Sequence, residues 1–294
     1  MSSLARPAVP SLIDRARTYA RFVKIEHALF SLPLILAGAL LAAPGGFALP
    51  VLGWIALAAT GARTAALALN RLLDRAIDAR NPRTRSRELP SGVMTLKEGW
   101  GVAFLGAAVY GLAAWRLNSL CLLLSPIPLV VFAVYPLLKR VTPLCHFGVG
   151  AALALSPLGG YLAVSPDLGR AFADAGLLAL FTLGWVAGFD IIYATLDVDF
   201  DRASGVHSLP AALGAPRALY VSLVCHSLAF AALTGWALVR WPSPWVAGAL
   251  ALVGAGLAWQ QKSAENVDLA FFRINAGLGF AVLLVVIAGQ GVPR

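Results

Sequence analysis

Nine apolar runs follow one another along this chain, each near the roughly 20 residues that a helix needs to cross the hydrocarbon core of a bilayer. They cover residues 28–43, 49–74, 97–115, 118–138, 142–164, 170–197, 216–239, 243–261 and 268–289. Breaker residues separate several of them, among them Pro44-Gly45-Gly46, Asn81-Pro82, Ser165-Pro166 and Trp241-Pro242-Ser243-Pro244. Pro126, Pro128 and Pro157 fall inside runs; membrane bundles tolerate this because neighbouring helices re-satisfy the freed backbone groups. Only 13% of the residues are charged, where a soluble domain carries about 25%. The mean hydropathy is +0.78. The expectation is an all-α polytopic membrane protein with nine transmembrane helices. Residues 1–294 are expected to form one domain, with 1–27 a cytoplasmic segment ahead of a retained first helix.

The formal net charge is +9, and its placement points to membrane orientation rather than nucleic acid. With the N-terminus in the cytoplasm, eighteen Lys and Arg fall on the inner side. Only Arg116, Arg170, Arg240 and Arg294 fall outside. Basic residues concentrate in cytoplasmic loops of membrane proteins, so the expected location is the plasma (inner) membrane with the N-terminus inside. Cys121, Cys145 and Cys225 lie in apolar stretches without C-x-x-C spacing. They read as small hydrophobes and imply neither disulfides nor a thiolate metal site.

The acidic residues are few, and five of the fourteen sit in two short windows. Asn70, Asp74 and Asp78 are four residues apart, which aligns them as a stripe on a helix. Tyr193, Asp197 and Asp201 repeat the step, while Asp199 falls on the opposite, solvated face. Each window closes an apolar run at its cytoplasmic end, so the two stripes are expected to face each other across a cavity. A carboxylate near a helix C-terminus is disfavoured by the helix dipole, and opposed carboxylates repel unless cations bridge them. Oxygen ligands without His or Cys suit Mg²⁺ shared with phosphate oxygens. The pattern reads as a diphosphate trap. Its alternative is ordinary charge at helix ends. The offset between the windows is 123 for both aspartate pairs, which hints at a duplicated half.

The segments Asn70 to Gly92 (NRLLDRAIDARNPRTRSRELPSG) and Gly188 to Pro210 (GFDIIYATLDVDFDRASGVHSLP), with Tyr135-Pro136-Leu137-Leu138-Lys139-Arg140, resemble the signature of the UbiA-type intramembrane aromatic prenyltransferases. The resemblance extends over essentially the whole chain in helix count and motif placement, and it implies a nine-transmembrane-helix bundle around a central cavity. It implies Mg²⁺-dependent transfer of a polyprenyl group from polyprenyl diphosphate to an aromatic hydroxy acid in ubiquinone or menaquinone biosynthesis. The acceptor would be 4-hydroxybenzoate or 1,4-dihydroxy-6-naphthoate. Asn70-Arg71 and His207-Ser208 are closer to the branch that makes menaquinone through futalosine. Haem or chlorophyllide precursors remain alternative acceptors.

On this resemblance Asp74, Asp78, Asp197 and Asp201 hold Mg²⁺ with help from Asn70, and Arg71, Lys139 and Arg140 bind diphosphate. The remaining loop arginines, Arg75, Arg83, Arg85 and Arg87, either join that clamp or attract anionic membrane lipid. Arg63 lies inside a run on the face of Asn70 and Asp74; a buried arginine faces a cavity rather than lipid. It is expected to bind the acceptor carboxylate or support the diphosphate. Asp190 lies one heptad before Asp197 and deeper in the membrane. It would orient the acceptor hydroxyl or take the ring proton, or else pair with Arg63. Tyr193 would stabilise an allylic cation or bond the diphosphate. Arg21 and Lys24, beside Glu26 and His27, offer a further acceptor site. His146, His207 and His226 lack metal-ligand spacing, and only His207 lies near the motifs. CDP-alcohol phosphatidyltransferases also use paired aspartates, but their D-G-x-x-A-R string is missing here. A transporter would place its coupling carboxylates near the midplane, which only Arg63 and Asp190 match.

Overall fold

The computed structural model describes residues 12–23, 28–264 and 273–291. Among them there is no strand; the chain is helical with short connections. An amphipathic first helix, α1 (Leu12–Phe22), precedes the apolar α2 (Ala28–Ala42). Then come α3 (Leu49–Asp78), α4 (Leu96–Leu117), α5 (Ser119–Leu124), α6 (Pro126–Leu138), α7 (Cys145–Val164) and α8 (Leu168–Ala194). After a 3-10 turn, Thr195–Asp197, the short α9 (Val198–Ser204) and α10 (Leu209–Leu213) lead to α11 (Ala215–Arg240), α12 (Pro244–Lys262) and α13 (Asn275–Gln290).

Over the described residues, the expected apolar runs fall on these helices. The run 118–138 is broken into α5 and α6, because Pro126 and Pro128 can sit in the first turn of a helix but remove donors from the middle of one. Six stretches among the described residues are long and apolar enough to cross a membrane: Leu49–Asp78, Leu96–Leu117, Ser119–Leu138, Cys145–Val164, Leu168–Ser204 and Ala215–Arg240. Ser31–Ala42 and Asn275–Gln290 are shorter apolar helices. The protein is a multi-pass membrane protein.

Two seams of close packing tie the bundle together. A Cβ on Gly38 would stand 1.9 Å from the Pro157 carbonyl oxygen, and one on Gly160 would stand 1.9 Å from that of Ile35. Backbones of α2 and α7 therefore touch, which only glycine allows. In the same way Gly61 and Gly106 bring α3 against α4, with Cβ positions 2.6 Å from the Tyr110 nitrogen and 2.7 Å from the Ala65 nitrogen. Lipid gives helices no hydrophobic reason to associate, so such dispersion contacts are what hold them. Elsewhere the interior is bulky: Trp185, Phe181 and Leu178 of α8 are fully buried against α11, α12 and α13. A polar network runs through this core. Asn275 Oδ1 accepts from Trp185 Nε1 at 3.1 Å and Gln260 Nε2 at 2.8 Å, and Ser222 donates to the Gly188 carbonyl at 2.8 Å. It fixes α8 from behind.

The loop between α3 and α4 is well structured. Asn81 Oδ1 accepts from the Arg83 N–H at 2.9 Å, Thr84 Oγ1 donates to the Asp78 carbonyl at 3.1 Å, and Gly92 takes a φ of +79°. Thr95 and Glu98 then form a reciprocal capping box that starts α4. Helix α1 lies over this region: Phe22 and Val23 pack with Ala68, Leu89, Met94 and Ala103, and the Tyr19 hydroxyl donates to Glu98 at 3.1 Å. The loop is thereby held over the ends of α3 and α8.

Candidate active site

Helix α3 runs unbroken to Asp78, so Asn70, Asp74 and Asp78 do form one inward stripe. Asp74 and Asp78 are buried, while Arg75 between them is exposed. The second window differs from the expectation of a regular helix. Helix α8 stops at Ala194, Asp197 ends the 3-10 turn, and Asp201 belongs to α9. Tyr193, Asp197 and Asp201 thus straddle a helix break. Asp201 is buried and Asp199 is exposed, as the spacing implied.

Each carboxylate already has a partner. Lys139 Nζ donates to Asp74 Oδ2 at 2.5 Å, and Arg87 Nη1 bonds both oxygens of Asp78 at 2.9 and 2.8 Å. Arg83 forks onto Asp197, with Nε at 2.9 Å from Oδ1 and Nη2 on Oδ2; Asn81 Nδ2 adds a bond of 2.8 Å to Oδ1. The same guanidinium donates to the Tyr193 hydroxyl at 2.7 Å and lies 5.0 Å from the ring centroid. Burial alone would lower the pKa of Arg83, but its bonds to Asp197 and Tyr193 outweigh this and raise it, so it stays charged. Asp201 Oδ2 accepts from Ser208 Oγ at 2.8 Å. Lys139 is further braced because its carbonyl accepts from the His207 N–H at 2.7 Å. Arg140 donates to the Leu73 carbonyl at 2.5 Å. Arg71 is buried 3.8 Å from Glu88, and its Nη1 has no hydrogen-bond partner.

Beneath the carboxylates lies a cavity of about 230 Å³. Its polar wall includes Arg63, Asn70, Arg71, Arg87, Tyr135 and Asp190, and Phe132, Val149 and Phe189 make much of the apolar remainder. Asp190 is bonded to a residue that the spacing argument set aside: His146 Nδ1 lies 2.7 Å from its Oδ2. Arg63 lines the same cavity, facing inward as its place in an apolar run requires. Arg21 stands exposed in the last turn of α1 and is not on the cavity wall. Lys24, Glu26 and His27 lie outside the described residues.

Spacing leaves the loop arginines as one group, and the structure divides them. Arg83, itself partly exposed, and Arg87 reach onto carboxylates, while Arg75 and Arg85 face out. Ser31, Ser156 and His146 also stand at the cavity or its edge. A single serine or histidine in an apolar run carries no signal of which way it faces.

Whether the site suits a divalent cation is a matter of donor chemistry. The donors are carboxylate and amide oxygens, the set preferred by Mg²⁺. Asp74 Oδ1 is buried with no hydrogen-bond partner, an acceptor that a cation would satisfy. Among the described residues no three of His, Cys, Asp or Glu are gathered closely enough to hold an ion, and Lys139, Arg87 and Arg83 are bonded to Asp74, Asp78 and Asp197. The residues fit the ion, provided those side chains turn away.

Known proteins resemble this chain along most of its length. The model of the UbiA prenyltransferase family matches residues 31–286. A 4-hydroxybenzoate octaprenyltransferase of Sodalis glossinidius is 32% identical over 258 residues, covering 85% of this chain and 86% of that protein. The apo structure of a UbiA homolog from Aeropyrum pernix K1 superposes with a TM-score of 0.79 at 36% identity, over 90% of this chain and 97% of that one. A UbiA homolog from Archaeoglobus fulgidus, bound to GPP and Mg²⁺, shares the fold at 18% identity and a TM-score of 0.68, over 92% and 99% of the two chains. With the two aspartate motifs, the basic loop and the cavity in place, this chain belongs to the UbiA prenyltransferase family.

Proposed function

We propose that this chain transfers a polyprenyl group from a polyprenyl diphosphate to an aromatic hydroxy acid, 4-hydroxybenzoate or a close relative such as 1,4-dihydroxy-6-naphthoate, in quinone biosynthesis. The observation that carries the reading is one of layering. Two aspartate motifs under a basic loop sit directly above a small cavity whose polar wall includes Arg63 and Asp190. The upper layer suits a diphosphate and its metal, the lower an aromatic acid. The relative from Sodalis glossinidius, by its name, acts on 4-hydroxybenzoate.

In this reading Asp74, Asp78, Asp197, Asp201 and Asn70 would hold Mg²⁺, which supplies charge neutralisation that lets diphosphate leave the allylic carbon. Lys139, Arg83 and Arg87, now on the carboxylates, turn to diphosphate oxygens when the donor arrives, and Arg71 and Arg140 complete the clamp. Tyr193, freed from Arg83, presents its ring to the developing allylic cation. Arg63 anchors the acceptor carboxylate. Asp190 meets the acceptor at its hydroxyl or at the ring carbon beside it. The apolar cavity and structured loop keep water from the cation, which would otherwise be hydrolysed.

The nine-span topology belongs to the same proposal: α2, α12 and α13 join the six longer stretches to form one transmembrane domain. Its loops of high positive charge face the cytoplasm across the plasma membrane. The test is prenyl transfer by membranes containing this chain, with an all-trans polyprenyl diphosphate, Mg²⁺ and each acceptor in turn. A Mg²⁺-dependent prenylated product with one acceptor is expected. Absence of product from folded protein with either acid and several donor lengths would overturn the assignment.

A further inference from the structure

Asp190 lines the cavity, but what fixes it lies behind. His146, only 2% exposed, places Nδ1 2.7 Å from Asp190 Oδ2. On the other side of the ring the backbone N–H of Leu209 points at Nε2 from 3.2 Å. A backbone N–H can only donate, so Nε2 must carry a lone pair. The proton therefore sits on Nδ1 and is donated to the carboxylate, and the imidazole is neutral. One buried bond from α10 sets the tautomer of a residue on α7, and that tautomer aims a carboxylate on α8. The connection continues upward: Ser208, adjacent to Leu209, donates to Asp201 at 2.8 Å. Both ends of the proposed chemistry are thus tied to the same short segment.

We infer that His146 is a positioning residue for the prenyl-transfer step: its Nδ1–H holds Oδ2 of Asp190 so that Oδ1 is the oxygen presented to the acceptor. This rests on the function proposed above. In the step, the new bond forms between the allylic carbon of the donor and the ring carbon beside the acceptor hydroxyl. The carbon–oxygen bond to diphosphate breaks, and diphosphate leaves with the electron pair. The ring carbon then loses its proton to Asp190 Oδ1, which restores aromaticity. His146 keeps its own proton throughout. Its role is to prevent the carboxylate from rotating or turning toward the cation Arg63, which lines the same cavity.

Two substitutions separate this role from mere packing. In His146→Asn the amide nitrogen occupies the place of Nδ1 and can still donate to Asp190, but nothing replaces Nε2. In His146→Gln the longer side chain reaches the Leu209 N–H and loses the geometry toward Asp190. We expect His146→Asn to keep transfer within about 3-fold of wild type and His146→Gln to lower kcat about 10-fold or more, a typical loss for a misplaced acid–base group. KM for the acceptor should change little, and both variants should bind a thiodiphosphate analogue of the donor like wild type. A His146→Gln enzyme as active as His146→Asn, or equal loss in both with donor binding intact, would overturn the inference. A second measurement does not depend on turnover. ¹⁵N-histidine spectra of detergent-solubilised protein, with the His146 signals identified by their loss in His146→Asn, should show a neutral ring protonated at Nδ1. An Nε2-protonated ring or an imidazolium would overturn the inference even if no acceptor were found. An inactive wild type with the expected tautomer would instead count against the proposed function.

Discussion

Asn70, Asp74 and Asp78 ride the end of an unbroken 30-residue helix, whereas Tyr193, Asp197 and Asp201 are spread over a helix end, a 3-10 turn and the start of a new helix. The two windows share a four-residue spacing and a constant offset, yet not a backbone. In the first, helical hydrogen bonds set the direction of every side chain, and Asp74 and Asp78 are both buried. In the second, Asp197 leans out to meet Arg83 and Asn81 from the loop while Asp201 turns in to Ser208. One motif is carried on continuous helix and the other spans a break. The matching offset therefore does not extend to a duplicated local structure.

The largest expected effect tests that division. Asp74→Ala and Asp197→Ala should each lower transfer by on the order of 10³-fold or more if both hold the metal. Their stabilities should diverge. Asp74→Ala strands the partly buried Lys139 ammonium and should cost about 3 kcal/mol, the usual result of removing one partner of a buried pair. Asp197→Ala leaves Arg83, which is a third exposed and can turn to water. Thermal unfolding in detergent would show this, and equal losses of Tm would break the comparison. A smaller effect is expected for Arg83→Gln: transfer falling roughly 10- to 100-fold, with weaker donor binding and unchanged Tm, as for loss of one charged donor to a leaving group. If Arg83 served only to neutralise Asp197, donor affinity would rise instead. The smallest effect belongs to Arg75→Gln with Arg85→Gln. Both side chains are exposed, and transfer should stay within about 2-fold, in line with the low worth of solvated charges. A large loss there would mean that the loop turns over on donor binding.

Much of this molecule was legible from residue order. Length and apolarity of the runs located the helices, because in lipid the backbone has few other ways to satisfy its hydrogen bonds. The stripe of Asn70, Asp74 and Asp78 followed from helical periodicity, and the inward turn of Arg63 from the cost of a cation facing lipid. What escaped has a common cause. The break after Ala194, the choice of Arg83 and Arg87 over Arg75 and Arg85, and the pairing of His146 with Asp190 are all set by contacts between residues distant in the chain. His146 and Asp190 are 44 residues apart. No local periodicity encodes that meeting. The loop between α3 and α4 looked like a basic surface patch, and only its internal turns and the cover of α1 show it as a lid with an inner face.

The glycine seam between α2 and α7 has a consequence for altering what this enzyme accepts. Ile35 and Ser156 line the cavity, and each sits at or beside a backbone contact, Ile35 against Gly160 and Pro157 against Gly38. That wall cannot retreat, since its two backbones already touch, and it cannot be thickened at Gly38 or Gly160 without prising the pair apart. Room for a bulkier ring has to come from trimming side chains such as Phe132, Val149 or Leu153. Breeding toward larger aromatic acceptors thus starts from a short set of positions, and a library that spares the seam keeps its folded fraction.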